Sequence, residues 1–419
     1  MGKLLYQFII ILYRFLVHIW SFYNHKAKLL VEGRKNWRRY LQSKMPESKG
    51  KTIWFHCASV GEFEQGRPVM EALKKENPGI FILLTFFSPS GYEAAIDYKF
   101  ADLVCYLPWD SEKNAITFYA LVKPDLVCFV KYEFWYYFLR QGTKARIPVI
   151  LISGIFRHDQ LFFKSYGGFY RKLLVYFDHF FVQNTESLEL LAAHNFTNVT
   201  VAGDTRLDRV IEIASHTGVI EAVENFMGES RTLIAGSVWP DDLEVLLPMI
   251  NDSSVNLKYI IAPHEINAGQ IEIFREKLIT PSLLYSEITD LSKNLPPNEA
   301  TVLIIDNIGM LASLYRYGDF AFIGGAYGDG LHNIMEAAVF GMPVFFGQKN
   351  YRKFQEALDL IERKGAFPVS NSDELKSIIS ELLTNEEAYR FASNTAREYV
   401  YENKGATQKI LDYISPLIT

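Results

Sequence analysis

Short apolar segments alternate with longer amphipathic ones along most of the chain after residue 50. The first half carries six apolar segments, at residues 52–58, 81–87, 103–108, 126–130, 148–153 and 179–183. A second series begins near residue 232 and reads TLIAGS, KYIIAPH, TVLIID, DFAFIGG and PVFFG. Buried strands separated by helices are typical of parallel βαβ units with helices on both faces of a sheet. The pattern therefore predicts an α/β fold.

A helical and polar segment at residues 203–231 separates the two series of strands. We therefore predict two Rossmann-like domains whose parallel sheets face a central cleft, an arrangement called GT-B in transferases. The predicted domains are an N-terminal one over 26–205 and a C-terminal one over 206–395. A last helical segment, 396–419, is expected to pack back on the first domain. A chain of 419 residues with 49% hydrophobic residues has enough apolar surface for two cores.

The amino terminus is almost continuously apolar over residues 4–20, with polar interruptions at Gln7, Arg14 and His18. This is slightly short for a spanning helix, which needs about 20 mostly apolar residues. Basic residues follow, and such flanks stay cytoplasmic and attract anionic lipid: Lys26, Lys28, Arg34, Lys35, Arg38 and Arg39. We expect residues 1–25 to anchor the protein, as a spanning or interfacial helix, with cytoplasmic catalytic domains. A helix packed on the protein's own surface is the alternative.

Charge and metal-ligand spacing narrow the choice of partner. The formal net charge of −5 gives no general basis for binding nucleic acid. The three cysteines lie in apolar runs without metal-ligand spacing, and the nine histidines show no HxxxH pair. We therefore expect reduced thiols, no bound metal and no nucleic-acid partner.

The loop at residues 324–338, GGAYGDGLHNIMEAA, is the strongest single candidate for a binding site. Ligands of parallel α/β sheets bind beyond the carboxyl ends of strands. A helix predicted to begin near His332 or Asn333 would offer free amides and a dipole to the phosphate of a sugar nucleotide. Glu336 would then suit ribose hydroxyls. A helix cap, with Asn333 as N-cap and Glu336 reaching back, fits equally well. The loop is not a GxGxxG fingerprint, which disfavours a nicotinamide dehydrogenase.

A second candidate is Ser59-Val60-Gly61-Glu62, directly after the first predicted strand. A positioned carboxylate that removes a proton from an acceptor hydroxyl contributes ~10²–10⁴-fold in rate. Alternatively, Glu62 simply stabilises a helix start by ~0.3–1 kcal/mol. His56 is more easily interpreted as a core histidine, whereas His264 follows a strand and is a better site candidate. Arg157 is either a bidentate anion ligand or a solvated loop arginine.

Taken together, several motifs resemble the family of Kdo (3-deoxy-D-manno-octulosonic acid) transferases. They occur in order over roughly residues 50–350: HCASVGEFEQGRPVMEAL from His56, TFFSPSG at 85–91, LPWD at 107–110, Glu133 with Trp135, Arg157, GDTRLD at 203–208, and the loop at 324–338. No single one of these motifs is as specific as their order.

The resemblance implies a GT-B glycosyltransferase that moves Kdo from CMP-Kdo to the lipid A precursor in lipopolysaccharide biosynthesis. Transfer would occur at the cytoplasmic face of the inner membrane, with inversion and without a metal or other cofactor. Glu62 is the implied general base. The implied acceptor-binding residues are Ser59, Gly61, Glu133 and Arg157. The implied donor-binding residues are Arg206, Ser237, His264, Gly325, Gly330, His332, Asn333 and Glu336. Its partners would be CMP-Kdo, the lipid A precursor and membrane lipid.

Four segments depart from the family pattern. Residues 131–136 read KYEFWY where the family has Glu-x-Glu-x-Trp-Pro, and residues 262–265 read APHE in place of Arg-His-Pro-Glu. Residues 237–242 read SVWPDD, and residues 330–333 read GLHN in place of GGHN. These changes indicate a divergent branch and bear mainly on individual donor contacts. A UDP-GlcNAc-using transferase or epimerase of the same fold, and an inactive membrane scaffold, are the alternatives.

Overall fold

The computed structural model describes residues 2–46, 50–131, 133–289, 299–328 and 330–418. Tyr132 and Asp329, which belong to two of the predicted motifs, lie outside the described residues. The chain forms two compact units. The first contains the chain up to Asp208 together with the segment from Lys404 onwards, and the second is Arg209–Asn403.

The first unit is built on a seven-stranded parallel sheet of order β3-β2-β1-β4-β5-β6-β7. Its strands are β1 Thr52–Cys57, β2 Phe81–Phe86, β3 Leu103–Tyr106, β4 Leu126–Val130, β5 Val149–Gly154, β6 His179–Val182 and β7 Val199–Val201. Its helices are α1 Gly2–Trp20, α2 His25–Glu32, α3 Trp37–Lys44, α4 Val60–Glu76, α5 Pro89–Ala95, α6 Glu112–Val122, α7 Tyr136–Ala145, α8 Gly168–Leu174 and α9 Thr185–Ala192. Strands β1 and β4 are buried along their whole length, which explains why they are apolar apart from Thr52 and His56 of β1.

The boundary between the units falls inside α10, Thr205–His216. In the second unit the parallel order is β10-β11-β9-β8-β12-β13-β14. Its strands are β8 Thr232–Val238, β9 Lys258–Pro263, β10 Ser282–Leu284, β11 Val302–Ile304, β12 Phe320–Ile323, β13 Val344–Gly347 and β14 Ala366–Val369. Its helices are α11 Glu221–Met227, α12 Pro240–Ile250, α13 Ala268–Lys277, α14 Tyr285–Thr289, α15 Leu311–Leu314, α16 Met335–Ala338, α17 Gln355–Glu362, α18 Ser372–Thr384 and α19 Glu386–Glu402.

The last helix, α20 Ala406–Ile418, belongs to the first unit. It packs against α4, and its Ile410 and Ile414 are fully buried in the first unit's core. The amides of Gly405 and Thr407 donate to the Asp208 carboxylate at 2.5 and 2.6 Å. That carboxylate therefore satisfies backbone donors at the start of the helix.

Helix α1 contacts the first unit along one face only. The Tyr6 hydroxyl donates to Asp110 at 2.5 Å, and the Gln7 side-chain amide donates to the Tyr137 hydroxyl. Ile10 packs against the core, and the Tyr13 ring stacks on Phe87 at a centroid distance of 6.2 Å. The other faces expose large apolar side chains: Leu4, Leu5, Phe8, Ile9, Ile11, Leu12, Phe15, Leu16, Ile19 and Trp20. Among the described residues, α1 is the one helix long and apolar enough to cross a membrane.

The basic segment after α1 is exposed except for Arg34. Arg34 does not join the solvated basic flank that the sequence predicts, because α2 places it against the sheet. Its guanidinium lies over the rings of Phe87, Tyr106 and Trp109, at 4.9, 5.2 and 4.7 Å from their centroids. It also donates to the carbonyls of Leu107 and Phe87. Burial lowers the pKa of Arg34 to about 10, so it stays charged at neutral pH.

Asp110, which accepts a hydrogen bond from Tyr6 of α1, makes the free energy of unfolding depend on pH. Its carboxylate accepts hydrogen bonds from Tyr6 and from the amides of Tyr137 and Phe138, but burial outweighs them and raises its pKa to about 6. The folded state therefore holds this proton more tightly than the unfolded state. The resulting stabilisation is full below about pH 4 and is lost as the pH rises through about 6. Across that window we expect wild type to lose ~2–3 kcal/mol of unfolding free energy relative to Asp110→Asn. Urea unfolding at several pH values measures the difference; parallel pH profiles for the two proteins would contradict it.

Candidate functional site

Glu62 lies in the first turn of α4, immediately beyond the carboxyl end of the central strand β1. Its Oε2 accepts hydrogen bonds from the amide of Ser59 at 3.1 Å and from the Ser59 hydroxyl at 2.5 Å. Within the described chain, Oε1 accepts no hydrogen bond. The capping interpretation is therefore realised through one oxygen, and the second oxygen is left for another donor.

Gly61 sits beside Glu62 in ordinary helical backbone and needs no positive φ. A Cβ at this position would meet only the Ser59 hydroxyl, at 3.9 Å. Gly61 therefore does not mark a sharp turn of the chain. What glycine provides instead is open space next to the carboxylate.

Glu133 follows β4 and is held by a buried histidine. His56 is fully buried on β1, and its Nδ1 lies 2.8 Å from Thr85 Oγ1. Its Nε2 lies 3.2 Å from Glu133 Oε2 and 3.1 Å from the indole nitrogen of Trp135, and the tautomer of the ring decides whether it donates to Glu133 or accepts from Trp135. The expectation of a core histidine is met as far as burial goes, yet the ring also positions a predicted site residue. Only the adjacency of β1 and β4 reveals this role.

Glu62 and Glu133 both lie close enough to Cys57 to affect its thiol. Burial raises the pKa of the Cys57 thiol well above its usual value, and the charges of Glu62 and Glu133 raise it further. The buried sulfur of Cys57, the last residue of β1, therefore lies in the electrostatic field of both carboxylates. The same effect keeps Cys57 protonated and excludes it as a nucleophile.

The two predicted arginines of this unit differ in their surroundings. Arg157 is exposed in the loop after β5, where its amide donates to the Gln160 side chain at 3.2 Å. Arg206, expected in the second domain, falls in the first unit. Its guanidinium donates twice to Asp204 Oδ2, at 2.9 and 2.6 Å. An anion bound by Arg206 would therefore share the guanidinium with Asp204.

In the second unit, the glycine-rich loop after β12 is held by one buried carboxylate. Asp242 Oδ2 accepts the amides of Trp239 at 2.8 Å and Gly325 at 2.9 Å. Burial raises the pKa of Asp242, although both hydrogen bonds oppose the shift. Gly324 fits against the chain so closely that a Cβ would lie 2.3 Å from the Ser237 carbonyl oxygen. The loops after β8 and β12 are thus locked together.

The predicted helix start at His332 or Asn333 is wrong, because α16 begins at Met335 and is four residues long. Within the loop, the amides of Gly330 and His332 are used, donating to Gly325 and Gly324 at 3.0 and 3.2 Å. One turn of helix carries little dipole. An anion bound at this loop would therefore depend mainly on loop amides other than those of Gly330 and His332. Lys353 also approaches, its Nζ 2.9 Å from where a Gly330 Cβ would stand.

Gly325 and Gly330 adopt positive φ values of 93° and 144°, which glycine tolerates and larger residues resist. Ser237 also has a positive φ, 52°, at an irregularity in the pairing of β8 with β9. Three of the eight donor-binding positions implied by the resemblance thus lie where the backbone has a positive φ.

Three rings from three strand-end loops stack in the second unit. His264 lies between Trp239 and His332, with centroid distances of 4.3 and 4.6 Å. The Trp239 indole N–H donates to His332 Nε2 at 3.1 Å. Burial, with the neighbouring His264, lowers the pKa of His332 to about 4, so His332 is neutral at physiological pH. The sequence singled out both histidines but not Trp239, which belongs to one of the departing segments.

Glu336 and Asn333 are neighbours in space. The Asn333 side-chain amide donates to Glu336 Oε1 at 3.1 Å, and its oxygen accepts the Met335 amide at 3.2 Å. The capping alternative is therefore partly realised. Glu336 also raises the pKa of Arg209, although burial of that guanidinium outweighs it. Arg209 was not among the predicted site residues; it follows Asp208 at the end of a predicted motif.

No group of three or more histidine, cysteine or acidic side chains that could hold a metal occurs in the part of the chain that the structure describes. The three cysteines are free and buried. Independence from metal stays a prediction.

The sequence is related to characterised sugar transferases. Residues 34–209 match the family model described as 3-Deoxy-D-manno-octulosonic-acid transferase (kdotransferase). The chain is 27% identical over 405 residues to the 3-deoxy-D-manno-octulosonic acid transferase of Haemophilus influenzae, covering 90% of both chains. The same-named protein of Aquifex aeolicus is 27% identical over 354 residues, which is 83% of this chain and 90% of the relative.

Solved structures share the fold. UDP-GlcNAc 2-epimerase from Neisseria meningitidis aligns with a TM-score of 0.62 at 16% identity, over 87% of this chain and 100% of the other. MurG from Acinetobacter baumannii aligns with a TM-score of 0.56 at 13% identity, over 87% and 99%. At such identities the likeness concerns the fold alone. The predicted class of two parallel-sheet α/β halves is confirmed.

Proposed function

Since this chain belongs to the Kdo transferase family of glycosyltransferases, we propose that it transfers Kdo from CMP-Kdo to a lipid A precursor in lipopolysaccharide biosynthesis. The acceptor hydroxyl attacks the anomeric carbon of Kdo, CMP leaves from the opposite face, and the configuration inverts. Glu62 takes the hydroxyl proton.

The observation that carries this proposal is the state of the Glu62 carboxylate. Oε2 is fixed by Ser59, so the side chain needs little reorganisation before it acts. Oε1 is left to accept a proton, and Gly61 leaves room for the sugar that brings it. Glu133, whose Oε2 lies 3.2 Å from His56 Nε2, is suited to hold a second acceptor hydroxyl.

The donor site of the proposal lies in the second unit. Lys353 beside Gly330, together with backbone amides of the glycine-rich loop other than those of Gly324, Gly325, Gly328, Gly330 and His332, is suited to the phosphate of CMP-Kdo. These groups stabilise the charge that grows on the phosphate as CMP departs. Neutral His332 can donate or accept a hydrogen bond without adding charge.

The donor distinguishes this proposal from another nucleotide-sugar activity of the same fold. A ligand that binds only the native state raises its stability. We expect CMP to raise the melting temperature more than UDP does at equal concentration, and labelled CMP-Kdo to yield a Kdo-bearing lipid in one turnover. Stabilisation by UDP alone would support a UDP-sugar enzyme, and specific binding of CMP without any turnover would support a scaffold.

For localisation, we propose that α1 lies in the interface of the inner membrane rather than crossing it. The face carrying Tyr6 and Tyr13 contacts the folded unit over two turns, which leaves no room for lipid on that side. The opposite faces expose apolar side chains, and the basic residues that follow are exposed. The catalytic units would then sit on the cytoplasmic surface.

Charges on the exposed face of α1 should weaken membrane binding. Phe8 and Phe15 are 62% and 60% exposed. Burial of a phenylalanine stabilises by ~1.5–3 kcal/mol, so the double change to glutamate should lower affinity for anionic vesicles by about 100-fold or more. Vesicle flotation measures this. Ile308→Glu, on the second unit and 90% exposed in wild type, is the matched control and should bind normally. An interfacial helix is also released by alkaline carbonate, whereas retention of wild type after that wash would favour a spanning helix.

A further inference from the structure

Four aromatic side chains form a continuous strip on the first unit: Tyr13, Phe87, Trp109 and Trp135. The Phe87 ring stacks on Trp135 with centroids 4.9 Å apart and an angle of 27°. Trp109 contacts Phe87 and Tyr13 edge-on, at 6.2 and 5.9 Å. Tyr13 is 40% exposed, and the other three are half-buried. The aromatic strip is therefore partly accessible, although Trp135 also packs against the core of the first unit.

The strip follows the carboxyl edge of the sheet. Phe87 directly follows β2, Trp109 follows β3, and Trp135 follows β4. These strands, with β1, are neighbours in the order β3-β2-β1-β4. Tyr13 extends the strip onto α1.

Each end of the strip has a distinct chemistry. At one end, the Phe87 amide donates to the Cys57 carbonyl at 3.2 Å, next to the turn that leads to Glu62. Trp135 is bonded to the same histidine ring that holds Glu133. At the other end, Tyr13 adjoins the exposed apolar faces of α1. The strip thus leads from an apolar surface to two carboxylates.

Arg34 makes the strip rigid from behind. Its buried guanidinium lies 4.9 Å from the Phe87 centroid and 4.7 Å from that of Trp109, and it donates to the Phe87 carbonyl at 2.7 Å. A ligand on the outer face would therefore meet rings that are already ordered, which lowers the entropy cost of binding.

Resting on the proposed function, we propose that the aromatic strip binds a hexosamine ring of the glycolipid acceptor. A pyranose has an apolar face of C–H groups that packs on aromatic rings and a polar rim that needs hydrogen-bond acceptors. The strip supplies the first, and Glu62 and Glu133 supply the second. The acyl chains of the same molecule would leave along α1. A phospholipid fits less well, because it has no ring to lay on the strip.

Trp109→Ala tests the strip, because Trp109 makes no contact with either carboxylate in the described structure. Losing one flat ring should raise KM for the acceptor about tenfold. We expect kcat and KM for CMP-Kdo to stay within about twofold of wild type. Trp109→Phe should restore most of the acceptor affinity, and Trp109→Leu, which keeps an apolar side chain without a flat face, should not.

Further measurements separate binding from folding and from lipid contact. Melting temperatures identify any variant whose fold is damaged, and Tyr166→Ala, a change at a 76% exposed loop aromatic, serves as the matched control. The loss should be equally large with a de-acylated acceptor sugar. An unchanged acceptor KM in well-folded Trp109→Ala and Trp109→Leu, or a loss seen only with acylated acceptor, would overturn the proposal.

Failure of the proposed function can be distinguished from failure of the aromatic strip to bind the sugar. If wild type transfers no Kdo at all, binding of the de-acylated hexosamine disaccharide can still be followed by tryptophan fluorescence. Saturable quenching whose apparent affinity weakens about tenfold in Tyr13→Ala, which keeps Trp109 and Trp135 as reporters, would support the strip independently of turnover. Absence of quenching in wild type would refute it.

Discussion

Glu62→Gln is expected to lower Kdo transfer by ~10²–10⁴-fold while CMP-Kdo still binds. Glutamine keeps the size of the side chain, and its oxygen can still accept the Ser59 amide and hydroxyl that now hold Oε2. What is lost is the basic oxygen that would take the acceptor proton. Rapid-quench measurement of a single turnover isolates this step, and equilibrium dialysis with CMP-Kdo measures donor binding.

The control for this variant lies two residues further along the same helix. Glu64→Gln changes a carboxylate on the same helix that pairs with Arg67 at 3.0 Å. It should transfer Kdo at close to the wild-type rate, since a half-exposed ion pair stabilises by only ~0–1 kcal/mol. Near-normal turnover by Glu62→Gln would remove Glu62 from the role of base and leave it as a helix cap. Glu133→Gln would then be the next variant to measure.

The central strands of both sheets were predictable because they are buried on both faces. β4 and β12 are apolar without interruption, β1 is apolar apart from Thr52 and His56, and the alternation with helices follows directly. Three strands escaped the sequence analysis: β7, β10 and β14. All three lie at the edges of their sheets. They are three or four residues long and only partly buried, so their pattern is too weak to separate from a loop.

The sequence likewise predicts one part of the candidate site and not another. Loops at strand ends could be located from the sequence, because ligand-binding loops of parallel sheets follow the strands. Contacts between loops could not, since they depend on strand order. His56 meets Glu133 only because β1 pairs with β4, and Trp239 meets His332 only because β8 pairs with β12. The change of unit also falls three residues beyond the predicted boundary, which moves Arg206 to the first unit.

Gly324→Ala is expected to destabilise the second unit and to disturb its glycine-rich loop. The new Cβ would stand 2.3 Å from the Ser237 carbonyl oxygen and 2.7 Å from the Asp242 carboxylate. The loop cannot easily retreat, because the Gly324 amide donates to Gly236 at 3.0 Å and the Gly325 amide to Asp242. Overpacking of this kind costs ~1–3 kcal/mol of unfolding free energy. Any movement that relieves it displaces the backbone amides proposed to bind phosphate.

The measurements are thermal unfolding and CMP affinity by calorimetry. Gly324→Ala should weaken CMP binding at least about tenfold, equivalent to ~1.4 kcal/mol. Gly328→Ala makes the same chemical change in the same loop, but its Cβ would meet nothing closer than the Gly325 carbonyl oxygen at 3.9 Å. Its melting temperature should therefore match that of wild type. Gly218→Ala, at a position with nothing within 4 Å, controls for CMP affinity. Equal stability and equal CMP affinity in Gly324→Ala and wild type would show that the loop neither is locked by Asp242 nor forms the donor site.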